Sequence, residues 1–309
     1  MPPPSTPLAH VTRMTRHAPL NMSRYATRLM GAARKLTTIP AVARGEDRRA
    51  EPRPDGVDWR VNPRSYDFLG ATFDPLTPTQ TLQRVKWMTA EHGFRYLVTP
   101  NVDHIVRLWA DPATFAPLYE GAWLSVCDSR ILELMAQTSG VPLSAVPGST
   151  LTQQVFDTLI ARDEPVNVIG GDAELLEQIR KTYGLSRLKQ HIPPMGLKHK
   201  PDAVAEAAAF VAAHPARYTF ICVGSPQQEM VARACLERGD CVGLGFCVGA
   251  SLDFLAGRSR RAPLWMQRAR LEWLHRLASE PRRMWKRYLV EGPKIFWIWL
   301  KWSRGKKPA

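Results

Sequence analysis

From residue 66 onward two textures alternate along the chain. Short, mainly apolar runs lie at 94–98, 122–126, 166–169, 218–223 and 241–246. Their length and flanks predict buried β-strands. Between them lie amphipathic stretches at 79–91, 102–109, 131–137, 151–161, 173–183, 203–213 and 227–237, whose spacing predicts helices. Strands apolar on both faces and separated by helices imply an α/β fold, a Rossmann-like parallel sheet covered by helices on both sides. In such sheets ligands bind beyond the carboxyl ends of the strands. The residues that follow each predicted strand are therefore the site candidates.

Those residues are Thr99-Pro100-Asn101, Cys127-Asp128-Ser129, Gly170-Gly171-Asp172, the stretch from Gly224 to Glu229 with Gln228 inside it, and the stretch from Cys247 to Asp253. Gly170 and Gly171 end a strand and open a helix, where backbone N–H groups can receive a phosphate. A purely steric turn explains them equally well. They do not form G-x-G-x-x-G, which argues against an NAD fingerprint. Asp128 is the one carboxylate at the mouth of its strand and follows apolar Val126 and Cys127, so burial would raise its pKa into the range of a general base. It could instead cap the next helix. The chain has no D-x-D, H-x-x-x-H or H-E-x-x-H, so neither a metal nor a cofactor is expected. A leaving phosphate would then be stabilised by Arg, Lys, amides and helix termini.

Charge divides the chain. Of the net +14 over 309 residues, 258–309 carry +12, the first sixty residues +6, and 61–257 carry −4. Six of the ten tryptophans also fall in 258–309: Trp265, Trp273, Trp285, Trp297, Trp299 and Trp302. Cations beside indoles suit an anionic, half-apolar partner such as a membrane face or a lipid phosphate, although basic ends can simply aid solubility. The longest apolar run there, 295–300, is far short of the ~18–20 residues a spanning helix needs. Five cysteines without a C-x-x-C read as reduced thiols. Residues 1–62 are rich in Pro, Arg, Ser and Thr and read as a disordered or partly helical basic extension, with an Arg-rich start like a transit segment and no apolar signal run. Met14 and Met22 are alternative starts. The expected division is extension 1–62, core 63–257 and basic helical appendage 258–309.

Several motifs in order carry a resemblance: T-P-N at 99–101, Asp128, I-G-G at 169–171, P-P-M-G at 193–196, G-S-P-Q-Q-E at 224–229, D-F-L-A-G at 253–257, R-A-P-L-W at 261–265, and E-W-L-H-R-L-A-S-E-P-R-R-M-W-K-R-Y at 272–288. From about residue 66 to 288 the chain resembles the WecG/TagA/CpsF glycosyltransferases. The resemblance implies an inverting, metal-independent transfer from a UDP-sugar to a polyprenyl-diphosphate-linked sugar at the inner face of the cytoplasmic membrane. It implies Asp128 as base, Thr99 and Asn101 as the polar pair beside it, and Gln228 near the transferred sugar. It implies Asp253 as a nucleoside contact, and Gly170, Gly171, Pro194, Gly224 and Glu229 as parts of the substrate rim. Arg261, Arg276, Arg283, Lys286 and Arg287 belong to an appendage that closes over the diphosphate. Family members often self-associate.

Two departures stand out. Ser129 and Arg130 follow Asp128 where the family commonly has Gly, and Ala145, Gly148 and Thr150 stand where it commonly shows R-x-x-G-x-D. Arg130 is a candidate replacement cation. The competing function class is a non-catalytic Rossmann-like protein that binds anionic lipid or nucleic acid through its basic end. For the enzyme, no nucleic-acid partner is expected. A nucleotide-sugar dehydrogenase or epimerase is disfavoured for lack of the glycine fingerprint. The core is expected to survive truncation after Gly257, and 288–307, with Trp297, Trp299 and Trp302, to rest on the membrane.

Overall fold

In the computed structural model, residues 65–259 and 262–305 are described. The predicted extension over 1–62 and the candidate Arg261 lie outside the described residues. An antiparallel hairpin, β1 (Tyr66–Phe68) and β2 (Ala71–Phe73), precedes the core. Helix α1 (Pro78–Lys86) leads to β3 (Arg95–Val98), then α2 (Val102–Ala110), α3 (Pro112–Glu120), β4 (Leu124–Ser125), α4 (Arg130–Thr138) and α5 (Gly148–Thr158). The second half runs β5 (Val166–Ile169), α6 (Ala173–Tyr183), β6 (Leu188–His191), α7 (Pro201–Ala213), β7 (Tyr218–Ile221), α8 (Gln227–Arg238), β8 (Leu244–Cys247) and α9 (Ser251–Leu255).

Strands β3 to β8 form one six-stranded sheet in the order β4-β3-β8-β7-β5-β6, with every pairing parallel. This is the predicted Rossmann-like arrangement. Alternate strand residues point to opposite faces. Tyr96, Val98, Ile169, Ile221 and Cys247 join one apolar cluster, with α2, α4, α7 and α8. Leu97, Val168, Phe220 and Phe246 join the other, with α1, α5, α6 and α9. In β3 and β8, Val98 and Cys247 are register partners, so the loops after them leave side by side.

The central strands were legible as apolar runs, but β4 is shorter than the predicted 122–126. Asp74, just after β2, donates its N–H to the Ser125 carbonyl and accepts the Ser125 N–H on its carboxylate, both at 2.8 Å. The hairpin exit thus pairs with the β4 edge and covers it. Asp74 is buried, which pushes its carboxyl up against the lowering effects of Ser125, Ser65 and Arg84.

The appendage comprises α10 (Leu264–Arg268), α11 (Glu272–Ser279), α12 (Pro281–Trp285), a π-helical turn (Lys286–Glu291) and α13 (Lys294–Ser303). Helix α13 is amphipathic at a spacing of three and four. Ile295, Ile298, Trp299 and Trp302 face the first apolar cluster, and Phe296 and Trp297 stay exposed. The Trp299 indole donates to Ser139 Oγ at 2.8 Å, while Trp302 donates to Asp67 at 3.3 Å and meets the Phe68 ring edge-on at 5.1 Å. Two of the three tryptophans expected on a membrane therefore pack on the core. For the same reason truncation after Gly257 would strip an apolar face, contrary to the expectation of a separable tail. No helix among the described residues is long and apolar enough to cross a membrane.

Candidate active site

A cavity of about 800 Å³ lies over the carboxyl ends of β3, β4 and β8. Thr99, Asn101, Asp128, Gly224 and Gln228 line it from the core, and Arg276, Arg283 and Arg287 from the appendage. Sequence reasoning placed all eight at one site. The structure leaves Gly170, Gly171, Pro194, Glu229, Asp253 and Lys286 off the cavity wall.

Asp128 sits at the floor. Ser129, not Asp128, caps α4, accepting the Leu132 N–H on its hydroxyl at 3.2 Å. That frees the Asp128 carboxylate to face the cavity. Its Oδ1 accepts the N–H of Gly148, the first residue of α5, at 3.1 Å, and its own N–H donates to Pro100 O at 3.0 Å. Protein atoms crowd the carboxyl on every side but the cavity. This desolvation pushes its pKa up to about 7, against the Gly148 N–H and the charges of Arg276 and Arg287, with Glu272 adding to the rise. Gly148 eases the approach: a β-carbon there would stand 3.2 Å from Thr99 Oγ1, a tight contact, and 3.5 Å from Val248 Cγ1, an ordinary one. Thr99 itself is buried and donates to Cys247 O at 3.4 Å, tying the β3 loop to β8.

Gln228 is buried, and both ends of its amide are engaged. Its oxygen accepts the Gly249 N–H at 2.8 Å, and its nitrogen donates to Glu229 Oε1 at 2.8 Å. It holds the β8 loop and leaves one N–H for a ligand. Glu229 lies behind it, fully buried; burial opposes its ionisation, but the hydrogen bond and charge of His104, with Gln228, prevail and hold its carboxyl below the ordinary range.

Asn101 caps α2 by accepting the Asp103 N–H at 3.1 Å. The same oxygen accepts from Arg287 Nη2 at 3.2 Å, so core and appendage meet here. Asp103 adds an ion pair to Arg287 Nε at 3.8 Å and another to Arg107. Asp103, His104 and Arg107 also line the cavity and were missed by sequence reasoning, which saw only one polar face of a helix. Arg276 makes no ion pair with Glu272 among the described residues; its guanidinium lies 5.8 Å from the Phe254 ring. Arg130 reaches the cavity wall and pairs with Glu133 at 3.5 Å.

The second rim follows β5 and β6. Gly170 and Gly171 have φ of +98° and +70°, and a β-carbon would fall 2.9 Å from Val223 and 2.6 Å from Leu175. The steric reading fits both. The Gly170 N–H donates to His191 O at 2.9 Å, and Asp172 caps α6, so that N–H is not open to a phosphate. Arg258 grips Asp172 with two hydrogen bonds, of 2.6 and 3.0 Å. Asp253 lies nearby, its pKa raised by burial and lowered in part by Arg258 and Arg283. No group of three or more His, Cys, Asp or Glu placed to hold a metal occurs among the described residues.

The geometry is that of a half-buried carboxylate with a raised pKa under a roof of arginines, suited to deprotonating a hydroxyl beside an anionic leaving group. The sequence model of the glycosyl transferase WecG/TagA/CpsF family matches residues 66–309, which take in the sheet, the cavity floor and the appendage, and this chain belongs to that family.

Proposed function

We propose that this glycosyltransferase of cell-surface polysaccharide biosynthesis moves a sugar from a UDP-sugar to a polyprenyl-diphosphate-linked saccharide, with inversion and without a metal. The observation that carries the reading is Asp128, with a pKa of about 7, on the floor of a cavity roofed by Arg276, Arg283 and Arg287. Asp128 takes the proton of the acceptor hydroxyl as that oxygen attacks the anomeric carbon. The bond from that carbon to the UDP oxygen breaks on the opposite face, and its electron pair leaves with UDP. The arginines meet the charge that develops on the diphosphate, a contribution worth about 10²–10³ in rate per donor. Thr99 and Asn101 shape the pocket beside the base, and Gln228 offers its remaining N–H to the sugar. Asp253 takes the ribose hydroxyls, with Gly224 and the second rim at Gly170, Gly171 and Pro194 framing the nucleoside. Lys286 and Arg261 add to the positive charge of the appendage that attracts the diphosphate.

We place the enzyme on the inner face of the cytoplasmic membrane. The support is the exposure of Trp285, Leu289, Val290, Phe296 and Trp297, all within the appendage, of which Leu289 and Phe296 also line the cavity. Release of UDP from a panel of UDP-sugars, with polyprenyl-diphosphate sugars as acceptors, tests the reading. Asp128→Asn should lower release by about 10²–10⁴; undiminished release by that variant would sink it.

A further inference from the structure

The arginines that line the cavity gather about two helices on opposite faces of the sheet, α9 and α2. Arg276 and Arg283 belong to α9. The Arg276 guanidinium lies 5.8 Å from the Phe254 ring, and the charge of Arg283 reaches Asp253. Arg287 leans the other way, onto the start of α2, and Arg107 of α2 faces the same cavity. Helix α2 packs against both the π-helical turn that carries Arg287 and α13.

One carboxylate ties the second group together. Arg107 donates through Nη2 to Asp103 Oδ2 at 2.5 Å and through Nε to Asp103 O at 3.3 Å. Arg287 Nε stands 3.8 Å from the same Oδ2, while its Nη2 donates to Asn101 Oδ1 at 3.2 Å. An ordinary pair four residues apart on a helix would account for Arg107 and Asp103. It does not account for a second guanidinium on the same oxygen. Asp103 offsets only one of the two charges, so the group stays cationic. Each guanidinium has five N–H donors, and the Nη1 of each has no protein acceptor among the described residues. Both side chains are half-buried, held in place yet open to the cavity.

On the transfer reading above, on which this inference rests, two diphosphates must enter one cavity of about 800 Å³. One belongs to the nucleotide and one to the lipid carrier. Their charges repel, more strongly where water is excluded, so each needs cations of its own. The surroundings distinguish the two groups. Asp253, the candidate ribose contact, lies with Arg283. Exposed Leu289 and Phe296 line the cavity on the side of Arg287 and α2, where a prenyl chain finds apolar surface. Asp128 feels the charges of both Arg276 and Arg287, so the base stands between the groups.

We propose that Arg107, with Arg287 held to it through Asp103, binds the diphosphate of the lipid-linked acceptor, leaving Arg276 and Arg283 to the diphosphate of the nucleotide. Arg287 borders both subsites. Arg107 touches the acceptor alone, and its removal therefore separates the two substrates.

Farnesyl diphosphate and UDP serve as the probes, each titrated calorimetrically into the full-length protein. Arg107→Gln should weaken farnesyl diphosphate about tenfold or more, the worth of one charged hydrogen bond, and UDP by less than about twofold. Arg276→Ala should do the reverse. The melting temperature of Arg107→Gln should stay within a few degrees of wild type, since a part-exposed helical ion pair adds little stability. An unchanged affinity for farnesyl diphosphate, equal losses for both probes, or a wild-type protein that does not bind farnesyl diphosphate overturns the proposal.

In the transfer assay, Arg107→Gln should raise KM for the lipid acceptor about tenfold and leave KM for the UDP-sugar within about twofold. A raised KM for the UDP-sugar alone, with turnover in place, sinks the acceptor assignment and leaves the transfer reading standing. No turnover with any UDP-sugar, together with loss of farnesyl diphosphate binding in Arg107→Gln, sinks the transfer reading and supports the lipid-diphosphate site.

Discussion

Asp128 accepts the N–H of Gly148 at 3.1 Å, so the general-base candidate is held at the first turn of α5. A helix N-terminus favours the ionised carboxylate, yet crowding by protein atoms outweighs it and leaves the pKa near 7. Because the base works deprotonated, kcat/KM should rise with pH to a plateau above about 7. Loss of that limb in a variant that retains activity would assign the titration elsewhere.

The same shift affects stability with a definite sign. The folded pKa of Asp128, about 7, exceeds its ordinary 3.8, so the folded state holds the proton more tightly. The contribution of this group is complete below the lower value and is lost as the pH rises through the upper one. Asp128→Asn should therefore melt above wild type at pH 8, with the gap narrowing toward pH 4, while transfer falls by about 10²–10⁴. Thermal unfolding across pH checks the first claim and UDP release the second.

Gly148→Ala brings a β-carbon to 3.2 Å from Thr99 Oγ1. Alanine also lowers the backbone entropy lost on folding by less than about 1 kcal/mol at this first helical position, which offsets part of the crowding. We expect a melting temperature within a few degrees of wild type and about a tenfold drop in kcat, as the Asp128 hydrogen bond is displaced. A fully active variant would show that the Thr99–Gly148–Asp128 packing has slack.

Arg276→Ala and Arg287→Ala should each cost about 10²–10³ in kcat. Arg287→Lys should recover little, because a point charge cannot reach Asn101 and Asp103 together. Lys286→Ala, off the cavity wall, should change kcat less than either.

The tryptophans of α13 should divide by face. Trp297→Ala combined with Phe296→Ala should weaken sedimentation with anionic vesicles and leave the melting temperature nearly unchanged. Trp302→Ala, which loses its contacts to Phe68 and Asp67, should cost about 2 kcal/mol or more and melt several degrees lower.

Much of this was legible in the sequence where punctuation was strong. β5 and α6 were read with both ends correct, because Gly170-Gly171-Asp172 separates them and Gly184, with φ of +66°, closes the helix. Helix α3 was missed because Pro112 and Pro117 interrupt its pattern. Strand β6, Leu-Lys-Gln-His at an edge with one neighbour, lacks the apolar run of a buried strand. Asp128 and the arginines that line the cavity with it were picked out by the sequence, but Asp103, His104 and Arg107 on its wall were not. Asp103 pairs with Arg287, 184 positions away, and no local pattern encodes that. The error on Trp299 and Trp302 was avoidable: with Ile295 and Ile298 they occupy one stripe at helical period.

The contact of Trp302 with Phe68 and Asp67 spans 235 positions. The seat for the last helix is thus made by the first strand. During synthesis that seat is laid down well before α13 and stays bare for the more than 200 residues in between. The roof of the cavity arrives with the same late segment, so a nascent chain holds its base without its arginines. Catalytic competence should appear only once α13 has emerged, at the step that also covers the apolar seat around Phe68.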